Sequence, residues 1–181
     1  KQVWAAAQQG TQKIKMIVLD YYVSLYSPWV FLGNERFRKI VADRDVAVNV
    51  KPVRFSQIFA ATGGLPVNER PPERQAYRLM EMRRWSSFLG EDINLQPNAS
   101  KRDEMPGVRL MLAVSDAGLD ALSLLTEIGR SVWQRDEIIA GQDILNAAAE
   151  RAGIDADNVL TNAEAADALD ARYEELTKEA L

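Results

Sequence analysis

Ser27 is the residue whose type and setting most suggest chemistry. It follows a run rich in β-branched and aromatic residues and precedes Pro28, within DYYVSLYSPWVFLG. Ser is a strong helix N-cap, and Pro at the first helical position gives up an N–H that would be unpaired anyway. A hydroxyl placed there lies beside converging backbone N–H groups and the positive helix end, which together stabilise an anion supplied by a ligand. Taken alone, the Ser-Pro pair reads first as an ordinary cap. A serine nucleophile is not expected, because the 181 residues include no His to take its proton and no G-x-S-x-G elbow surrounds it.

A second candidate lies in ERPPERQAYRLMEMRRW, residues 69–85. Arg74 and Arg78 stand four apart and share a helical stripe, and Arg binds carboxylates in fork geometry. Glu69, Glu73 and Glu81 interleave with them, so an exposed mixed-charge face is the competing explanation. The aromatics Trp29, Tyr77, Trp85 and Trp133 could line an apolar pocket, although aromatics at helical spacing more often fill a core. Asp and Glu are scattered without an oxygen-ligand loop, so no metal is expected. Zero Cys removes disulfides, thiol redox chemistry and thiolate metal sites. A net charge of −4 offers little attraction to nucleic acid or anionic lipid.

These residues must be held by elements, and the pattern supplies them. Residues 16–24 (MIVLDYYVS) read as a buried strand, followed by a helix from Pro28 to about Ala42 whose apolar face carries Phe31, Phe37, Ile40 and Val41. A second strand is expected over 46–55, with Pro52 favouring an edge or strand-end position. From Ser56 the period becomes helical. A short helix is expected, then a Gly/Pro-rich loop at 62–71, then a helix over 73–89 with Met82, Trp85 and Leu89 on one face. Further helices are expected over 108–117 (stopped by Gly118), 119–135 and 143–152 (stopped by Gly153), and the last opens on a T-x-x-E capping box at Thr161 and Glu164. Residues 1–15 read as an extension before a natural start near Met16. No apolar run approaches the roughly 20 residues that span a bilayer, and a cytoplasmic protein is the default expectation.

Taken in order, these segments resemble the kappa-class glutathione transferase and 2-hydroxychromene-2-carboxylate isomerase family, a branch of the thioredoxin fold. DYYVSLYSPWVFLG is similar to its opening, with Ser27-Pro28-Trp29-Val30 where disulfide-forming relatives carry C-x-x-C. ATGG followed by PPERQAYRLMEMRRWSSFLG is similar to its A-T-G-N-x-P-P…K-x-x-Y-x-x-x-D-x-x-R-W pattern, and SVWQRD and ILNAAAERAGID are similar to its helical stretches. The resemblance implies an α/β thioredoxin-like fold: a β-α-β unit over 16–55, an inserted helical domain over 56–160, and a helix over 161–181 leading back. It also implies a cis-proline segment and further strands after Leu181.

By the same resemblance the cofactor is glutathione and the assembly a homodimer. Ser27 would hydrogen-bond the glutathione sulfur, with Pro28, Gly64, Asn68 and Arg74 also at the glutathione site. Arg74 stands where the family has Lys, and Gly64 where it has Asn. Trp29, Tyr77 and Trp85 would face a small aromatic or conjugated oxo-acid substrate. The expected activity is a glutathione-dependent isomerase or transferase. The alternative is a catalytically inactive thioredoxin-fold module that binds a ligand or partner. A disulfide oxidoreductase is excluded, since its chemistry needs the Cys that this sequence lacks.

Overall fold

Two β-branched runs pair in parallel and a helix crosses between them. The computed structural model describes residues 17–99 and 103–181; the expected extension 1–15, and Met16 with it, lie outside the described residues. Strand β1 (Ile17–Val23) runs beside β2 (Val46–Pro52), in register from Ile17 against Val46 to Val23 against Pro52. Helix α1 (Pro28–Ala42) supplies the crossover that a parallel pair requires. Pro52 closes β2, so its missing N–H removes no interior ladder bond, and the Val53 N–H donates to the Val23 carbonyl at 2.8 Å. Phe55, expected in the strand, instead opens α2 (Phe55–Thr62).

A 3-10 turn (Val67–Glu69) leads into α3 (Pro72–Leu89), then come α4 (Met105–Asp116) and α5 (Ala121–Trp133). The last three helices are α6 (Gln142–Arg151), α7 (Ala156–Thr161) and α8 (Ala166–Glu179). The core runs through α4 and α5. Helix α4 touches β2, α5, α6, α7 and α8, while α1 lies along α5. Val108, Leu110, Met111, Leu124, Ile128 and Val132 are each at most 1% exposed, and burying such side chains stabilises the fold by about 1.5–3 kcal/mol each. Gly129 lets α1 approach, since a Cβ there would lie 2.9 Å from Phe31 Cδ2.

Several expectations need correction. Strand β1 is not buried throughout: Ile17 and Val18 are 57% and 56% exposed, because helices cover only the Val23 end of the pair. On α1 the buried residues are Pro28, Phe31, Leu32 and Asn34, whereas Ile40 faces solvent. Trp85 is exposed as well. Gln75, Leu79, Met82, Ser86 and Leu89 form the less exposed stripe of α3 at spacings of three and four, which leaves Trp85 on its flank.

The capping box at Thr161 and Glu164 does not form. Asp155 caps first, accepting from the Asn158 N–H at 3.0 Å and starting α7, a helix the pattern did not reveal. Thr161 then ends α7 by donating its hydroxyl to the Asp157 carbonyl, and α8 begins at Ala166. Gly153 behaves as expected. At φ +75° it lets its own N–H reach the Glu150 carbonyl and the Ile154 N–H reach Ala149, closing α6.

Candidate functional site

Ser27 caps α1 through its side chain. Its backbone is extended (φ −84°, ψ 118°), and its Oγ accepts from the Val30 N–H at 3.3 Å. The hydroxyl proton has no acceptor among the described residues, so it remains available to donate. Pro28 occupies the first turn and is buried. Ser27 itself is 8% exposed. The residue before it, Tyr26, forms part of a wall of the nearest described cleft.

That cleft has a volume of about 610 Å³. Its walls come from four places: Tyr26 after β1, Asn68 in the 3-10 turn, Arg78 and Leu79 on α3, and Trp133 at the end of α5 with the 95–97 segment against it. Each wall is fixed by identifiable bonds. Tyr26 Oη donates to the Asp103 carbonyl at 3.2 Å, and the residue beside it, Leu25, packs on Gly107 at the start of α4. The Asn94 N–H donates to the Trp133 carbonyl at 2.6 Å. Asp136, in the left-handed region at φ 56°, accepts from the Ala99 N–H at 2.8 Å and so holds that segment's far end.

The electrostatics of this end of the molecule are set by burial. Burial pushes the Tyr26 hydroxyl up from its ordinary value, and the Glu104 and Asp103 carboxylates add to it, so Tyr26 stays neutral. Burial likewise raises Glu104, against the pull of the Tyr173 hydroxyl at 2.8 Å and of Arg54. Arg78 is half-buried, and burial followed by repulsion from Arg70 holds its guanidinium below the usual range for arginine. Among the described residues no group of three or more His, Cys, Asp or Glu is placed to hold a metal ion.

The structure gathers some of the anticipated residues and separates others. Asn68 lines the cleft, and so does Trp133 of the four aromatics considered. Arg74 and Arg78, one stripe in the sequence, part company: Arg78 turns to the cleft while Arg74 is exposed. Tyr77, Trp85 and Trp29 are 56%, 41% and 44% exposed and are not cleft-lining. Gly64 instead sits against Phe59, 2.9 Å from where its Cβ would be. Sequence reasoning passed over Tyr26, Gln75 and Gln96, all of which line the cleft. For Gln75 a signal existed: it leads the Gln75-Leu79-Met82 stripe. Tyr26 and Gln96 lie in connections whose placement no periodicity predicts.

The model of one protein family, the DSBA-like thioredoxin domain, matches residues 18–180. The chain belongs to that family. Within it, this DSBA-like chain is 20% identical over 118 residues to a 2-hydroxychromene-2-carboxylate isomerase of Pseudomonas putida, an alignment covering 65% of this chain and 56% of that protein. The chain thus matches little more than half the length of this curated relative. Among solved structures, a 2-hydroxychromene-2-carboxylate isomerase superposes with a TM-score of 0.64 at 19% identity, covering 91% of this chain and 79% of the other. A candidate protein disulfide isomerase from Nitrosomonas europaea gives the same TM-score at 18% identity, covering 91% and 78%. At such identities the superpositions establish the thioredoxin-like fold. In this DSBA-like domain the opening of α1 reads Ser27-Pro28-Trp29-Val30, and the sequence holds no Cys for thiol–disulfide exchange.

Proposed function

We propose that the chain is a glutathione-dependent isomerase or transferase acting on a small aromatic or conjugated oxo-acid, in the cytoplasm, the default setting for this sequence, and as the homodimer that the family resemblance implies. The observation that carries this is the Ser27 hydroxyl: it caps α1, and its proton has no acceptor among the described residues. Bound glutathione would supply a thiolate able to add to and leave a conjugated double bond, or to displace a leaving group. The residues present fit such a guest in two respects, a spare hydroxyl donor at a helix start and a cleft with a cationic wall beside Tyr26. Donating to a sulfur anion, Ser27 contributes about 1.5–3 kcal/mol in its favour. The end of α1 adds about 0.3–1 kcal/mol. At 1.36 kcal/mol per pH unit, that sum makes the thiolate the main species near neutral pH. The isomerase names of the relatives favour isomerisation over transfer.

The test is a thiolate absorbance titration of glutathione bound to the protein, with binding itself measured by calorimetry. Replacing Ser27 by Gly removes the hydroxyl while costing the cap only a few tenths of a kcal/mol, whereas Ser27→Ala adds about 0.5–2 kcal/mol of lost capping. In S27G the pH for thiolate formation should rise by about one unit or more, the loss of one charged hydrogen bond. An unchanged titration removes Ser27 from the chemistry. A second reading, a binding module without catalysis, draws on the 8% exposure of Ser27 and on the outward placement of Arg74, Tyr77 and Trp85. Absence of any glutathione heat at millimolar concentration decides for it.

A further inference from the structure

Arg78 is a charge without a partner among the described residues. No ion pair or hydrogen bond reaches its guanidinium from the described residues. The acid three positions on, Glu81, is engaged by Arg84 at 2.7 Å instead. The ionisable group that acts on Arg78 is another cation, Arg70, which donates to the Leu65 carbonyl at 2.8 Å and lies over the Phe59 ring. Among the described residues lining the cleft, Arg78 alone is charged and none is a carboxylate. A half-buried cation with no counter-charge is costly unless an anion arrives from outside. A second unmet donor belongs to a residue of the same cleft's wall. Trp133 is 2% exposed and its buried Nε1–H has no partner among the described residues, although an indole nitrogen can only donate. The remaining walls include Val67, Leu79, Leu95 and the ring of Tyr26, which suit a flat carbon skeleton.

We propose that Arg78 is a specificity-determining residue that grips the carboxylate of an aromatic or conjugated organic acid in this cleft, with the Trp133 Nε1–H as second donor. This rests on the reading above that the cleft is the ligand site, and it adds which residues select an acid over a neutral compound of the same shape. The guanidinium fork matches a carboxylate with two parallel bonds, which an amide cannot reproduce.

The experiment is equilibrium binding of cinnamate and of cinnamamide, which share a skeleton and differ in charge, to the wild-type chain, R78Q and W133F. The wild type should prefer cinnamate by about 10-fold or more, the worth of one charge-assisted bond. R78Q should abolish the preference while its cinnamamide affinity, which reports an intact cleft, stays level. W133F should weaken cinnamate by about 10-fold or more, as expected for one hydrogen bond to a charged acceptor. A preference that survives R78Q overturns the role of Arg78, and so does a wild type that binds both probes equally or neither. An unchanged W133F removes the second donor.

Glutathione carries carboxylates of its own, so its isotherm is recorded on the same variants. Loss of glutathione affinity in R78Q with the cinnamate preference intact assigns Arg78 to glutathione and overturns the proposal. Glutathione binding with no Arg78-dependent preference leaves the glutathione reading standing and sinks this one. An Arg78-dependent preference without glutathione binding does the reverse.

Discussion

Burial makes the side chains of Tyr26, Glu104 and Tyr173 hold their protons more tightly than they would in the open chain. Glu104 accepts from Tyr173 at 2.8 Å beneath the wall formed by Tyr26, and burial raises its carboxyl above the ordinary 4.5. The folded state therefore holds this proton more tightly than the unfolded chain does. The contribution to stability is fully present below the ordinary value and is lost as pH rises through the raised one. Glu104→Gln keeps an acceptor for Tyr173 and cannot ionise. Its stability relative to the wild type should therefore climb with pH above about 4.5 and then level off, as read by urea denaturation across a pH series. A flat difference between the two proteins would show that Glu104 ionises in the fold as it does in the open chain.

At the scale of elements, α1 is positioned by α5 more than by the strands it connects. Asn34, fully buried, donates to the Leu122 carbonyl at 2.9 Å and to Thr126 Oγ1 at 2.8 Å, and Phe31 packs into the gap left by Gly129. This contact sets the angle at which the Ser27 end of α1 meets the rest of the chain. Gly129→Ala should destabilise the protein by about 1–3 kcal/mol in chemical denaturation, because the ring beneath it is already confined and must move. Helix propensity alone predicts the opposite sign, by roughly 0.5–1 kcal/mol. The sign of the measured change separates close packing from propensity.

For the whole molecule, the last helix ties distant parts of the chain together. The Arg54 N–H, just after β2, donates to Thr177 Oγ1 at 3.0 Å. The Arg54 guanidinium binds Glu174 and stacks over the Tyr173 ring, while Lys51 and Tyr22 share Glu179. Thr177 is fully buried, so Thr177→Val strands the Arg54 N–H at little cost in volume. The expected loss is about 1–3 kcal/mol, with faster amide exchange at Arg54 and Val53 as the local signature. Unaltered exchange there would mean that α8 only rests on β2. No helix among the described residues is long and apolar enough to cross a membrane.

Local chemistry in the chain was enough to determine several features. Runs rich in β-branched and aromatic residues gave the two strands, Ser27-Pro28 gave the start of α1, and Gly118 and Gly153 gave helix stops, each at a positive φ. These depend on neighbours one to four residues away, so the sequence carries them directly. What tertiary structure decided is which faces meet. Arg74 and Arg78 are equivalent in the sequence, yet only packing puts one in the cleft and the other in water. Tyr26, Asn68 and Trp133 come from segments scattered over more than a hundred positions and converge only when α3 and α5 dock. Their meeting depends on the summed burial of many distant side chains, and that sum is not written at any one site along the chain.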